Sequence, residues 1–161
     1  MGSATMRVQT ERFGPIEVPE GKLIRMQKPI LGFEDLETFI LVEQDDFRPF
    51  MWLQSVERAE LAFIVINPTL VCPDYRIEVH AKEVGDLLIT KLAQVETYVI
   101  VTVPENPSDL SVNLQGPIVI NTTNNFAKQL VLVNSNYSTR HRLLDPTDRT
   151  IGAPVYETAG V

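Results

Sequence analysis

Short apolar segments of strand type recur along the chain at close intervals. They are rich in Val, Ile, Phe and Tyr and cover residues 7–10, 22–26, 39–43, 49–56, 61–66, 75–79, 96–103, 117–121 and 128–133. Turn-forming pairs such as Gly14-Pro15, Asn67-Pro68 and Asn124-Asn125 lie between them. This spacing is typical of antiparallel β proteins. The pattern therefore predicts a mostly β fold: a small antiparallel β-barrel, or a barrel-like sandwich, with one or two short helices.

One stretch has a helical period. In residues 82–92, Val84, Leu87 and Leu88 fall at positions i, i+3 and i+4, and Leu92 continues the stripe. The spacing predicts a helix over 82–92. A chain with a single helix of this kind does not build a βαβ fold, because that fold alternates strands with helices.

Two of the predicted strands are apolar on both faces. In residues 98–103 the valines lie on one face and Tyr98 and Ile100 on the other, while residues 61–66 are apolar throughout. Such strands are central in a sheet, and their outer face needs a cover. The helix, a loop or another chain can provide it, so a homodimer stays possible.

The segment NLQGPIVINTTNNFAKQLVL, residues 113–132, contains two apolar runs around a loop rich in Asn and Thr. Pro117 suits the first residue or the edge of a strand, because it lacks an N–H and fixes φ. Gly116 permits an unusual backbone or the close approach of another chain. Residues 121–125 tolerate positive φ and predict a hairpin turn. The loop alone indicates a turn and no more.

The length of 161 residues fits one domain. Residues 1–5 read as a remnant of cloning, with Met6 as the natural start. Residues 6–144 form the predicted single barrel domain. From Asp145 onward the sequence loses its period and gains Pro and Gly, so residues 145–161 are predicted to be a mobile C-terminal tail.

Acidic residues outnumber basic ones. Asp and Glu total 21 against 14 Lys and Arg, which gives a formal net charge of -7. This charge disfavours direct binding of nucleic acid, and no apolar run approaches the roughly 18 residues that insert across a membrane. An acidic surface serves solubility or suits a basic protein partner. With one cysteine and no secretory signal, the expected compartment is the cytoplasm.

Residues for catalysis, metals and nucleotides are sparse. His80 and His141 lie far apart, Cys72 is the only cysteine, and the eight glycines form no phosphate-binding loop. No cofactor and no metal are therefore expected. Two alternatives stay open: a small hydrolase that uses Cys72, and an oligonucleotide-binding barrel, which the few basic residues in the strands disfavour. Trp52 is either a core residue, the commoner case, or an interface anchor.

Six segments share their order with a known family. They are GFEDLETFIL (32–41), PFMWLQSVERAELAFIVINP (49–68), PDY (73–75), YVIVTVPENP (98–107), NLQGPIVIN (113–121) and YSTRH (137–141). Together they resemble the flagellar assembly factor FliW family over nearly the whole predicted domain. The resemblance implies a bacterial cytoplasmic protein without enzymatic activity, built as a small antiparallel β-barrel.

The resemblance also implies two protein partners. One is flagellin, and the other is the carbon storage regulator CsrA, a basic RNA-binding dimer that represses flagellin translation. A free protein of this family binds CsrA and relieves the repression, whereas unexported flagellin holds it away from CsrA. Flagellin synthesis is thereby tied to export.

Candidate contact residues follow from the matched motifs, at positions that look like loops or strand ends. They are Phe33, Glu34, Gln54, Asp74, Tyr75, Asn113, Gln115, Pro117 and Asn121. Each of them can equally serve to build the barrel. Arg58-Ala59 departs from the family pattern, which has an acidic residue followed by Pro there, so the local charge differs from that of the family.

Overall fold

The computed structural model describes residues 4–133 and 135–143. This part of the chain contains the strands β1 (Thr5–Thr10), β2 (Gly14–Pro19), β3 (Ile24–Lys28), β4 (Thr38–Val42), β5 (Met51–Ser55), β6 (Ala62–Ile66), β7 (Val95–Thr102), β8 (Ser111–Val112), β9 (Ile118–Asn121), β10 (Phe126–Gln129) and β11 (His141–Arg142). It also contains the short 3-10 helices Glu20–Lys22, Asp45–Phe47, Pro68–Leu70, Ala81–Leu87, Leu92–Gln94 and Pro107–Asp109.

Seven of the strands close into a barrel. They pair in the ring order β3, β4, β5, β6, β7, β9, β10 and back to β3. Every pair is antiparallel except β10 with β3, which are parallel, with Phe126 opposite Arg25 and Ala127 opposite Met26. The predicted mostly β barrel is confirmed, and one parallel seam is added to it.

The inward side chains of the strands form the main apolar core. Phe39, Val65, Ile118 and Ala127 are completely buried within it. Alternation along each strand sends neighbouring residues to opposite faces, so the barrel has an apolar interior and a second set of side chains outside. Removal of this interior surface from water is the main force that favours the closed barrel.

Connecting segments of the same chain cover the outer face of β7. Val99 and Val101 of this strand lie in a second buried apolar cluster. The partly buried side chains packed against that cluster are Phe47, Ile64, Val71, Cys72, Tyr75, Tyr137 and Leu143. Of the three covers that the sequence allowed for this strand, the structure uses a loop.

A short helix is present where the sequence predicts one, but its type and extent differ from the prediction over 82–92. The structure has a 3-10 helix at Ala81–Leu87, and Leu88 ends it in the left-handed region with φ 56°. Leu87 is completely buried, but Leu88 is 63% exposed and Leu92 is 84% exposed. With about three residues per turn, a 3-10 helix does not place positions i, i+3 and i+4 on one face.

One predicted strand is wrong. Residues 75–79 form no ladder with any described strand. The alternation that predicted a strand there has another cause, because Tyr75, Ile77 and Val79 pack against the cluster around Leu87 on the outside of the barrel. The last predicted strand, over 128–133, is also displaced, since β10 ends at Gln129.

The predicted chain boundaries fall mostly outside the described residues. Thr5, inside the supposed cloning remnant, is the first residue of β1 and lies opposite Pro19 of β2. The predicted tail over 145–161 lies outside the described residues. The cloning remnant, the domain limits of 6–144 and the tail all stay predictions.

Candidate functional site

The loop between β8 and β9 is held by the side chain of Asn113. Its Oδ1 accepts hydrogen bonds from the backbone N–H groups of Gln115 and Gly116, both at 3.0 Å. The Gln115 carbonyl in turn accepts from the Leu132 N–H at 2.8 Å. An Asx turn of this kind satisfies two backbone donors that have no strand partner. Hydrogen bonds therefore hold this loop in a defined conformation.

Gln129 connects this loop to the loop after β3. Its Nε2 donates to the Gly116 carbonyl at 3.0 Å, and its Oε1 accepts from the Leu31 N–H at 2.9 Å. Glycine suits this position, because a Cβ there would lie 2.8 Å from Asn113 Nδ2 and 2.9 Å from Gln129 Nε2, and the two amides would have to move. The predicted close approach at Gly116 is thus made by two side chains of the same molecule. We call Asn113, Gly116, Gln129 and Leu31 the amide bridge.

The loop between β3 and β4 contains two of the candidate residues. The ring of Phe33 meets that of Phe63 edge-on, with centroids 5.0 Å apart, and packs against the barrel core. Glu34 is exposed and accepts a hydrogen bond from the Gly32 N–H at 3.2 Å. In the same loop, Asp35 accepts from Arg58 at 2.8 Å. Phe33 therefore anchors a loop whose acidic side chains face solvent.

Tyr75 lies beside the loop between β8 and β9. Its hydroxyl donates to the Leu114 carbonyl at 2.6 Å, and its ring packs on Tyr137 with centroids 4.6 Å apart. Burial raises the pKa of Tyr75 above its ordinary value, and the nearby Tyr137 and Cys72 add to the increase. Asp74, the preceding residue, is exposed. Tyr75 thus joins the loop to the outer wall while Asp74 stays accessible.

The pKa shifts of the tyrosines predict a loss of stability in alkaline solution. Burial also raises the pKa of Tyr98, whose hydroxyl donates to Glu96 at 2.7 Å. Tyrosines in the unfolded chain ionise near pH ~10, while Tyr75 and Tyr98 stay neutral in the folded protein to higher pH. Their contribution is therefore complete below about pH 10 and is lost as the pH rises towards their folded pKa values.

Urea unfolding between about pH 8 and about pH 11 tests this prediction. The fall in the unfolding midpoint with pH should be smaller in the double variant Tyr75→Phe, Tyr98→Phe than in the parent protein. Equal falls in the two proteins would show that these phenols do not cause the alkaline sensitivity.

The profile of the FliW protein family matches residues 7–143. The chain belongs to the FliW family. The flagellar assembly factor FliW of Alkaliphilus metalliredigens (strain QYMF) is 42% identical over 141 residues, which are 87% of this chain and 87% of the relative. That of Geobacter sulfurreducens is 39% identical over 145 residues, 90% of this chain and 91% of the relative.

A solved structure supports the same assignment. The crystal structure of the flagellar assembly factor FliW superimposes with a TM-score of 0.81 and 36% sequence identity, covering 89% of this chain and 100% of that chain. The family inferred from six short motifs is confirmed, and its relatives of known name are flagellar assembly factors. These FliW relatives are named as assembly factors and not as enzymes.

The FliW motif residues differ in how much surface they offer. Glu34 and Asp74 are exposed, and Phe33, Tyr75, Asn113 and Gln115 are half-buried. Gln54, Pro117 and Asn121 are buried, with Gln54 and Asn121 each only 1% exposed. The amide bridge and the Tyr75 hydroxyl bring Phe33, Glu34, Asp74, Tyr75, Asn113 and Gln115 into connected loops. We call these six residues the loop surface.

The three buried FliW motif residues are bonded inside the protein. The Gln54 amide donates to the carbonyls of Ser55, Ala59 and Leu61 and closes the turn between β5 and β6. The Pro117 carbonyl accepts from the Leu130 N–H at 2.8 Å. The Asn121 amide donates to the Leu87 carbonyl at 2.9 Å. Their side chains offer no surface to a partner, and their part in partner binding stays a prediction.

A groove beside the FliW loop surface was not foreseen from sequence. It has a volume of about 870 Å³ and lies between residues 76–80 on one side and residues 131–133 and 135–137 on the other. Val131 and Val133 on its wall are 44% and 73% exposed. The sequence pattern of both segments resembles that of paired strands, so the pattern does not indicate that a groove separates the two segments.

The described part of this FliW chain contains few groups suited to metal binding or catalysis. Residues 4–133 and 135–143 contain no group of three or more His, Cys, Asp or Glu side chains that could hold a metal ion. Cys72 packs against the outer apolar cluster. Within the same residues no helix is long and apolar enough to cross a membrane.

Proposed function

We propose that this protein binds flagellin and, when free of flagellin, binds the translational regulator CsrA and relieves its repression of flagellin mRNA. The observation that carries the proposal is the match to flagellar assembly factors over residues 7–143. The protein acts in the cytoplasm as a chaperone-like binding partner and catalyses no reaction. Nothing in the described residues favours the alternative hydrolase or the alternative oligonucleotide-binding barrel.

The charge of the molecule supports a basic partner. At a formal net charge of -7 the protein attracts a basic protein and repels the phosphates of RNA. It therefore antagonises an RNA-binding regulator by contact with the regulator itself, not by competition for the transcript. Association with CsrA is expected to weaken as salt rises, because screening reduces the attraction between exposed charges.

The loop surface supports a second contact, which combines aromatic and amide groups with the exposed Glu34 and Asp74. Phe33 and Tyr75 offer half-buried rings, and Asn113 and Gln115 offer amides on a backbone that the amide bridge holds in place. The adjoining groove adds exposed Val131 and Val133. Rigid aromatic and amide groups around an apolar groove suit an amphipathic segment of a partner. We assign flagellin to this side of the molecule.

Calorimetric titration with CsrA from the same genome tests the proposed switch. The titration is done at low and high salt and repeated after the protein has been loaded with a C-terminal flagellin fragment. We expect binding that weakens with salt and disappears after loading. Glu34→Gln and Asp74→Asn, measured with the flagellin fragment, report on the loop surface, with Glu105→Gln as an exposed acidic control.

Each outcome has a distinct meaning. Binding to flagellin without binding to CsrA would reduce the proposal to a flagellin chaperone. Simultaneous binding of both partners would contradict mutual exclusion. Absence of binding to either would overturn the proposal, and a salt-sensitive complex with single-stranded RNA would favour the oligonucleotide-binding alternative.

A further inference from the structure

Trp52 occupies an aromatic cluster on the outside of the barrel. It is the only tryptophan in the chain. Phe47 stacks on its ring with centroids 5.0 Å apart and planes at 12°, and Phe13 meets it edge-on at 6.1 Å. The Arg12 guanidinium carbon lies 4.0 Å from the ring centroid. Trp52 is only 8% exposed, as a core residue would be, yet its cover includes an exposed cationic side chain.

The indole N–H of Trp52 has no acceptor. Among buried side-chain nitrogen and oxygen atoms of the described residues, Nε1 of Trp52 is the one without a hydrogen-bond partner. Buried Trp N–H groups usually find an acceptor, and a missing one leaves a desolvation cost without compensation. This donor is suited to a carbonyl or carboxylate oxygen that a partner supplies.

The charges around the cluster have an uneven distribution. The 3-10 helix Asp45–Phe47 that carries the stacked Phe47 begins with two exposed acidic residues. Asp45 shares Arg48 with Glu43, at 3.2 Å and 3.4 Å, whereas Asp46 forms no ion pair with any described residue. Arg12 likewise has no carboxylate partner among the described residues and rests on the indole face. The surface therefore contains a cation, Arg12, held only by the indole ring, and acidic residues of which Asp46 has no ion-pair partner among the described residues.

The cover can be exchanged at low cost. Arg12 lies in the turn between β1 and β2, which form a two-stranded sheet of their own. The turn is tied to the barrel by the backbone bond from the Glu11 N–H to the Ala59 carbonyl at 3.0 Å, and the Arg12 side chain can leave the ring without breaking it. Cation–π contacts at exposed sites are weak, so another cation can compete for the ring.

We propose that Arg12, Phe13, Asp45, Asp46, Phe47 and Trp52 form a docking surface for a basic segment of a protein partner. In the complex an arginine of the partner replaces Arg12 over the indole ring. The indole N–H is buried in the free protein, so part of its cover must also move aside before a neighbouring backbone carbonyl of the partner accepts it. Charge complementarity with the acidic helix selects a basic segment. The proposal rests on the proposed function in taking CsrA as that basic partner.

Fluorescence of the single tryptophan tests the surface directly. CsrA is titrated into the full chain with excitation selective for tryptophan, and the emission of CsrA alone is subtracted. We expect the Trp52 emission to change on binding. Trp52→Phe keeps an aromatic ring but removes the N–H, and it should weaken binding measured by calorimetry by up to about tenfold. Asp46→Asn should weaken binding more than the control Glu105→Gln, which removes one exposed charge elsewhere.

Arg12→Ala separates this inference from a merely structural role for Trp52. Removal of the competing cation should tighten CsrA binding, whereas loss of a structural cover would not. A short peptide with two arginines serves as a second probe, compared with the same peptide carrying citrulline. In the Arg12→Ala protein the arginine peptide should change Trp52 emission and the citrulline peptide should not.

The outcomes distinguish the two proposals. CsrA binding with no change in emission and no effect of these variants overturns the docking surface and leaves the proposed function intact. If CsrA does not bind, the proposed function fails, and the peptide experiment alone tests the docking surface. A change of emission with the arginine peptide but not with the citrulline peptide supports the docking surface. No change with either peptide overturns it. An emission change that depends only on the concentration of this protein would assign the surface to a second copy and overturn the proposal.

Discussion

Replacement of Asn121 by alanine is expected to lower the free energy of unfolding by about 2 to 4 kcal/mol. The Asn121 amide donates to the carbonyls of Leu87 and Leu88 at 2.9 and 3.3 Å, and its Oδ1 accepts from the Thr123 N–H and hydroxyl at 3.1 and 2.7 Å. Since the residue is only 1% exposed, water cannot readily replace these bonds in the folded protein. Chemical denaturation, with the slope held in common, measures the loss.

Asn136→Ala is the matched control for the stability measurement only, because Asn136 lines the groove assigned to flagellin. Asn136 is exposed, so its substitution should change stability by less than about 0.5 kcal/mol. If Asn121→Ala instead left stability unchanged and weakened partner binding, the residue would be a contact and not a support of the hairpin. The expected loss of stability would mean that Asn121 stabilises the hairpin and the 3-10 helix.

Gln129→Leu should destabilise the protein by about 1 to 3 kcal/mol, although leucine has a similar size and greater apolar character. The substitution leaves the Gly116 carbonyl and the Leu31 N–H without their partners at 3.0 and 2.9 Å. Gly116→Ala should disrupt the same amide bridge, because its new Cβ would push against the side-chain amides of Asn113 and Gln129. Thermal and urea unfolding report both losses, and their effects should be less than additive because the residues are in contact.

The control is Gln9→Leu, an exposed position in β1 for which no side-chain hydrogen bond occurs among the described residues. It should be close to neutral. Equal stability of Gln129→Leu and Gln9→Leu would mean that water replaces the amide bridge without cost. A selective loss of flagellin binding in Gln129→Leu, with stability retained, would also contradict a structural role.

Local pattern predicted the fold well where strands are long and their partners are close in sequence. The runs that became β4, β5 and β6 are rich in apolar residues, and short connections join them. The prediction failed where tertiary contacts, and not the local sequence pattern, determine the backbone structure. β2 begins at Gly14 and contains two prolines, so its sequence resembles a turn, and β8 and β11 have two residues each. Residues 75–79 alternate because one face packs on the barrel, and this periodicity also fits a strand.

The candidate site could be predicted only in part, for a related reason. Motif position supplied candidate contact residues, but it could not separate the exposed Glu34 and Asp74 from the buried Gln54 and Asn121. Polar side chains in loops satisfy backbone groups as often as they meet partners. Gln129, which joins two loops through residues far apart in sequence, and the orphan N–H of Trp52 are visible only in three dimensions.

The parallel seam between β3 and β10 has a consequence for synthesis on the ribosome. Strands β3 to β7 emerge in order and can pair as they appear, but β9 and β10, the partners of β7 and β3, are made last. Until residues 118–129 leave the exit tunnel, the nascent sheet has two unpaired edges. Such edges recruit strands from other chains, and their long-range closure is slow. The vulnerable period of this protein is therefore the end of its own translation.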